Sequence, residues 1–572
     1  MKKKLLIELL QLLEYEDLID EIKQLSEEQN MKGFEVLLKL TDKQIENILN
    51  QLDDGMAYAL IYIYTNRERI PEKVQNLLDE EIEKKNTNLP EIIDMLKFNK
   101  LMVREDVHEF FKVALNTDKV KLEDVVTACT CRKLLNRKDA IEFVRKLSEA
   151  KEIFQSNYAV SVMTDKNVIK KENAMEYVDA IINAYNELQA NYVSEMACNL
   201  EALKLKNSLE IVKFLASLQE DYKVENAYKV ANYLISSDNK LHGRMKDKAL
   251  EFAKKVAEAT SVFNAIHATD LVLNGNVFAR KDAINFVDVV VNAEESYQVY
   301  NASLCAQNIY LLLREDALDI VKAVSMAKGK VQAKDAWRTA VNYDILNNEN
   351  VLEIVKSIAS AKGSYQSTYA HNVAKDKGII NRKDATDIVK AVATSRGCSN
   401  AEYAYKLAKN TLLQNIHKYA EHVSLLEIIK VIANTEKDYQ IECASGVAKL
   451  PCVLKREDYL ELITAVANSL GEAQAYTAMC ELQKENNNIS LDDILKITNN
   501  PSYQKIKCPK GMSLKDTLSL ISTSLKNDGN CISQNINVLL SNEDIYKIIA
   551  LLSNSENEEI EKDTTIKVKV YE

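Results

Sequence analysis

Residues 136–140 read NRKDA, residues 381–385 read NRKDA again, and ARKDA stands between them at 279–283. A word that returns at such distances marks a boundary that the chain needs repeatedly. Taking the last residue of each such word as an anchor gives positions 107, 140, 174, 208, 249, 283, 317, 351, 385, 425, 459 and 493. The spacings are 33, 34, 34, 41, 34, 34, 34, 34, 40, 34 and 34, so one motif is copied about twelve times, twice with an insertion.

The residue before each anchor is Asp106, Asp139, Asn173, Asn207, Lys248, Asp282, Asp316, Asn350, Asp384, Ser424, Asp458 or Asp492, which reads as a helix N-cap. An acid follows three residues later in ten of the twelve copies, as in Glu142 and Glu353, the pattern of a capping box. Apolar residues at anchor +3, +4 and +7, such as Phe143, Val144 and Leu147, give the stripe of an amphipathic helix. Gly329, Gly363, Gly397 and Gly471 at +12 read as left-handed residues ending that helix. A second helix follows, with Gln recurring at +15 and Ala at +19 (Ala159, Ala227, Ala302, Ala336, Ala370, Ala404), the latter marking close helix approach.

A lone hairpin cannot cover its own apolar faces, so the expected fold is all-α: a right-handed α-solenoid of about twelve ~34-residue helical hairpins with helical caps. At ~8–10 Å per stacked helix, twelve hairpins extend on the order of 100 Å. Over residues 104–497 this resembles tetratricopeptide and HEAT-type repeats in length and hairpin form. The early Gly and terminal Pro of the tetratricopeptide pattern are absent, so the resemblance implies the solenoid class and no functional residues. Residues 1–103 read as an N-terminal helical cap, 498–553 as a C-terminal helical cap with helices starting near Ser513 and Ser541, and 554–572 as an acidic tail. In that tail Ile566, Val568 and Val570 alternate with Lys567 and Lys569 as in a short strand.

Composition agrees: 12 Gly and 5 Pro in 572 residues are too few for a turn-rich β protein. The net charge of −11 argues against a general nucleic-acid binder. The opening MKKKLLIELLQLL is broken by Glu8 and Gln11 and reads as an amphipathic helix, with no spanning segment elsewhere, which implies a cytoplasmic protein without a membrane partner. Ten cysteines lack metal-type spacing and read as reduced core residues, and His417 and His422 read as solvated. No catalytic motif, cofactor fingerprint or metal site is visible.

Three rows remain as binding candidates. The Gln row reads as satisfying backbone groups near the bend. Basic residues at +5 (Arg145, Lys213, Lys254, Lys322, Lys356, Lys390, Lys430) read as largely paired with the acid three residues earlier, whereas Arg or Lys at −3 (Arg104, Arg137, Lys171, Lys246, Arg280, Arg314, Arg382, Arg456) has no fixed partner and is the stronger anion-binding candidate. The third row is variable: +20 and +17 carry Tyr228, Tyr300, Trp337, His371, Tyr405 and Tyr476, about 100° from the constant Ala. This variable aromatic row on a concave face is the expected binding site of a non-enzymatic scaffold for a protein or peptide. The alternatives are a HEAT-like nucleic-acid-processing enzyme such as a DNA glycosylase, which needs a basic groove and a buried carboxylate, and a structural spacer of toxin or phage type. The chain itself names neither partner nor oligomeric state.

Overall fold

The computed structural model describes residues 54–236, 246–416, 420–484 and 489–500, with Thr41 and Gln44. Among them every regular element is a helix, and the chain divides into two compact units, Met1–Thr269 and Asp270–Glu572. The helices expected near Ser513 and Ser541, the strand at 566–570, His417 and about half of the N-terminal cap lie outside the described residues.

The copied element has three parts rather than two. A leading helix such as Val351–Ala359 begins at the anchor; a trailing helix such as Ser364–Ala374 follows; and a one-turn helix, Lys377–Ile380, closes the copy. In the first unit the leading helices Glu72–Glu83, Val107–Asn116, Ala140–Ser148, Ala174–Ile182, Ser208–Ser217 and Ala249–Ala257 pack each on the next. In the second unit Ala283–Val291, Ala317–Ser325, Val351–Ala359, Ala385–Ala393, Leu425–Asn434, Tyr459–Ala467 and Leu491–Thr498 do the same, and trailing helices likewise pack on trailing helices. The apolar stripe faces inward as its period requires: Phe143, Val144, Leu147, Ile354, Val355 and Ile358 are wholly buried. So is every Ala at +19 that recurs in these copies, 0% exposed from Ala159 to Ala478. A larger side chain there would have to push two helices apart.

Helix starts are made differently from the expectation. Of the residues before the anchors, Ser424 accepts a bond from the helix it opens, at Glu427 N, 3.3 Å. Asp139 does not cap: its backbone sits at φ −87°, ψ 13°, outside the extended region from which a cap side chain turns back on the first N–H groups. Its carboxylate instead takes a two-pronged bond from Arg137, Nε to Oδ1 at 2.8 Å and Nη2 to Oδ2 at 2.7 Å. The third guanidinium nitrogen, Nη1, donates to Ile169 O and Lys171 O of the following copy, both at 2.8 Å. The same clasp recurs as Arg104–Asp106, Arg280–Asp282, Arg314–Asp316, Arg382–Asp384 and Arg456–Asp458, each reaching a carbonyl about 32 residues on. Arg104, Arg137 and Arg280 also lie over the ring at anchor +3, Phe110, Phe143 and Phe286. This corrects the reading of the −3 row as unpartnered: it is the rivet between copies. Where the acid is Asn173, Lys171 keeps the forward bond to Leu203 O, and Asn348 and His422 make equivalent reaches to Ile380 O and Arg456 O.

True side-chain caps sit at +25, a row the repeat reading passed over. Asn199, Asn274, Asn308, Asn342, Asp376 and Asn410 each accept backbone N–H bonds at the start of a one-turn helix. Where +25 is Leu450, Pro451 fills the first helical position instead, needing no acceptor for its nitrogen.

The bend between leading and trailing helices is also stitched to the next copy. Gln155 Nε2 donates to Ala184 O (2.8 Å), Gln298 to Ala327 O (2.9 Å) and Gln440 to Ser469 O (2.7 Å), while Asn400 reaches Ile432 O and Thr435 O. The Gln oxygen turns back on its own helix start, as in Gln298 Oε1 accepting from Glu295 N at 3.0 Å. The Gln row therefore bonds backbone. It begins before residue 104, because Asn88 donates to Ala114 O and Thr117 O in the same manner. Gly329, Gly363 and Gly471 are extended, with φ −162°, −160° and −154°, not left-handed. They make room: a Cβ on them would lie 2.7, 2.8 and 2.6 Å from the Oε1 of Gln332, Gln366 and Gln474. The +5 row is paired both within a copy (Lys356–Glu353 and Lys430–Glu427, 2.8 Å) and across copies (Arg145–Glu109, 2.8 Å). The cysteines divide: Cys129, Cys305 and Cys443 are buried, whereas Cys398 and Cys452 are exposed.

Arg314→Ala removes two charged bonds to Asp316 and one to Leu346 O, a local loss of about 1–3 kcal/mol. Hydrogen exchange should quicken across Tyr343–Leu346 and the start of Val351–Ala359, and Arg314→Lys should not restore it, since an ammonium cannot span both carboxylate oxygens and the carbonyl. Unchanged exchange in the alanine variant would show the clasp to be idle.

Candidate functional site on the trailing helices

On a trailing helix, positions +17, +20 and +24 are three, then four, residues apart and share one face. The structure places the sequence candidates along it in different environments. In the first unit Tyr228 is half-buried; its ring stacks on Tyr192 of the preceding trailing helix at 4.6 Å, and its hydroxyl donates to Glu195 Oε2 at 2.5 Å. Burial, then the Glu195 carboxylate, pushes that phenol up. In the second unit Tyr405 repeats the pairing with Tyr369 at 5.5 Å, and Lys409 Nζ lies 5.8 Å over the Tyr405 ring. Tyr300 is 47% exposed, and Trp337 and Tyr476 are half-buried, the Tyr476 phenol pushed up to about 12 by burial and then by Cys480 beside it.

Both tyrosine pairs join +18 of one copy to +20 of the next. The +18 row carries tyrosine in four of ten copies, Tyr158, Tyr192, Tyr369 and Tyr403, and Asp335 in another, a recurrence that the more constant Ala beside it overshadows. At +20 the small residues Ser194, Ser303 and Ser445 are buried; of the large ones, Tyr228, Trp337 and Tyr405 are half-buried and His371 is buried.

His371 belongs to the seam rather than to the open row. It is 6% exposed, and Asp335 beside it on Lys330–Ala340 is 4% exposed. Thr339 spends its one hydroxyl proton on Asp335 O (2.8 Å), so its oxygen accepts from His371 Nδ1 at 2.7 Å, which places the imidazole proton on that nitrogen. Asp335 Oδ2 accepts from Ser367 Oγ (3.2 Å) and Thr368 Oγ1 (2.9 Å). The cluster is a closed polar network linking two trailing helices. Among the described residues no group of three His, Cys, Asp or Glu side chains is placed to hold a metal ion, and no helix is long and apolar enough to cross a membrane.

Burial pulls the His371 imidazole down to about 4; the Asp335 carboxylate opposes this, and Lys375 and Arg338 assist it. The folded chain therefore holds His371 neutral where the unfolded chain, near 6.5, takes up a proton. Stability is full above that value and falls as pH drops toward about 4, by at most about 3 kcal/mol. The sole tryptophan, Trp337, stands on the same helix as Asp335 and Thr339 and reports the seam. Its fluorescence-detected urea midpoint should fall between pH 7 and pH 5 in the parent chain and fall less in His371→Asn; equal slopes would remove His371 as the cause. Compared with known proteins, the chain matches no family model, and no curated protein matches its sequence.

Proposed function

We propose that the chain is a right-handed α-solenoid of about twelve copies acting as a non-enzymatic scaffold, and that the outward stripe of its trailing helices binds a protein or peptide. The recurrent packing of leading on leading and trailing on trailing helices supports the solenoid. One observation carries the binding reading: the other periodic polar rows are largely consumed internally. The Arg row is clasped, the Gln row bonds backbone, and charged +5 residues pair with neighbouring acids, as Arg145, Lys356 and Lys430 do. The trailing-helix stripe differs from copy to copy and keeps Tyr300, Trp337, Tyr405 and Tyr476 at least partly in solvent. Rigid aromatics of mixed polarity are what interface hot spots use.

The buried carboxylate of Asp335, with Arg338 and Lys375 near His371, is the feature that favours a HEAT-like nucleic-acid enzyme instead. A general acid or base must reach its substrate. Asp335 is sealed and already accepts two hydroxyl bonds, so the scaffold reading fits better.

Capture of a partner by the full chain, identified by mass spectrometry, tests this. Trp337→Ala with Tyr405→Ala should lose the partner by more than tenfold with little change in thermal transition. A matched control removes Tyr310 and Tyr343, exposed rings 5.7 Å apart on one-turn helices, and should bind normally. Loss in the control alone, or unfolding of the first variant, would overturn the assignment.

A further inference from the structure

Position +24, one residue before the capping row, is Lys375, Lys409 and Lys449 in three consecutive copies. Elsewhere it is Thr164, Cys198, Asn232, Leu273, Gln307, Val341 and Gln483. A cation is favoured at any helix C-terminus by the helix dipole. That cause acts on every copy equally and does not explain three lysines in one block and none outside it. The three trailing helices that carry or precede them, Ser364–Ala374, Cys398–Ala408 and Asp438–Val447, pack in that order.

None of the three ammonium groups has an ion-pair partner among the described residues, unlike Lys356 and Lys430 on the leading helices. Lys409 leans on Tyr405, 3.4 Å from its hydroxyl. Lys449 is destabilised as a cation by burial and then by Lys406 across the seam. The acids of this face are largely committed: Glu402 pairs with Lys406 at 2.7 Å, and Asp376 accepts from Gly378 N and Gln414 Nε2. Glu442 lies near Tyr403. With Lys406 and Glu402 paired to each other, the three unpaired lysines stand beside the Tyr369–Tyr405 pair, the acids nearby being Asp376, Glu442 and Asp438.

We propose that Lys375, Lys409 and Lys449 form a docking column for an acidic peptide in extended polyproline-like conformation, with a carboxylate at every third residue. Resting on the scaffold reading above, this gives its partner a chemistry. Packed helices lie ~8–10 Å apart. A polyproline helix turns once in three residues and rises ~3.1 Å per residue, so carboxylates three apart lie on one side ~9 Å from each other. A strand places such residues on opposite sides. Aromatic side chains are the surface on which proline-rich segments rest, and Tyr369 and Tyr405 border the column. The acidic overall charge, −11, favours a short acidic peptide held at this column over a nucleic acid that spreads along the chain.

The test uses the full chain and fluorescein-labelled peptides. One alternates a glutamate with two prolines through three cycles; its control has the same composition with the glutamates contiguous. The spaced peptide should bind about tenfold more tightly than the control. Lys375→Gln, Lys409→Gln and Lys449→Gln should each weaken it by about two- to fivefold, the triple variant by tenfold or more, and added salt should weaken it further. Lys356→Gln, on a leading helix, should change nothing. Equal affinity for both peptides, or indifference to the triple variant, overturns the column. Tighter, lysine-dependent binding of an oligothymidylate overturns the peptide assignment. A captured partner lost in the Trp337/Tyr405 variant but kept in the triple variant refutes the column while leaving the scaffold reading in place.

Discussion

A helix leaves its last carbonyls without intrahelical donors, and a stack of short helices multiplies that deficit. Here the donors come from the neighbouring copy. The amide of Gln155 meets Ala184 O at the end of the next leading helix, and the guanidinium of Arg137 meets Ile169 O and Lys171 O in the next one-turn segment. Backbone adds to this: Lys328 N donates to Ala359 O, Lys362 N to Ala393 O and Arg396 N to Ala433 O. Apolar burial draws the helices together without direction. These bonds set the register in which they meet.

That dependence explains what could be read in the letters alone. The 3.6-residue stripe and the Ala at +19 are consequences of burial, and burial follows from spacing; both were legible, and Phe143, Ile354 and Ala336 lie where the period puts them. Partnership was not legible. Asp139 before a helix has the composition of a cap, yet Arg137 two residues earlier competes for the same carboxylate and prevails, since a charged two-pronged bond outweighs a single bond to an amide. The pair holds the Asp139 carboxyl below the usual carboxylate range, with Arg137 the first cause and burial opposing it. Gly329 looked like a left-handed stop because glycine there is compatible with both uses; the folded Gln332 amide, invisible in one dimension, decides for the other.

The variable row was legible as a row and not as a surface. Its small members close the seam, His371 joins a buried network, and its tyrosines and tryptophan project. Side-chain size sorts all but His371, because trailing helices held close by the constant Ala leave space at +20 for a serine but not for an indole, and His371 stays in the seam through its bond to Thr339. The lysines at +24 stand four residues beyond this row on the same face. They share an origin with it: both lie off the Arg and Gln rows, where one copy can differ from its neighbours without disturbing the bonds to backbone carbonyls that those rows make.

The clasp has a genealogical corollary. Where a clasped copy gives forward the same bonds that it receives from behind, as those opened by Arg280 and Arg314 do, a whole extra copy inserted there by tandem duplication strands no donor or acceptor, and the gene can lengthen at that point in 34-residue steps. An insertion of one or two residues inside a helix has no such immunity, for it rotates every later group away from its mate. Of the two irregular spacings, 40 adds residues after the one-turn helix Thr411–Gln414 and before Leu425–Asn434, outside the long helices, and 41 goes with a trailing helix lengthened to 16 residues, Asp221–Ser236, by about one whole turn.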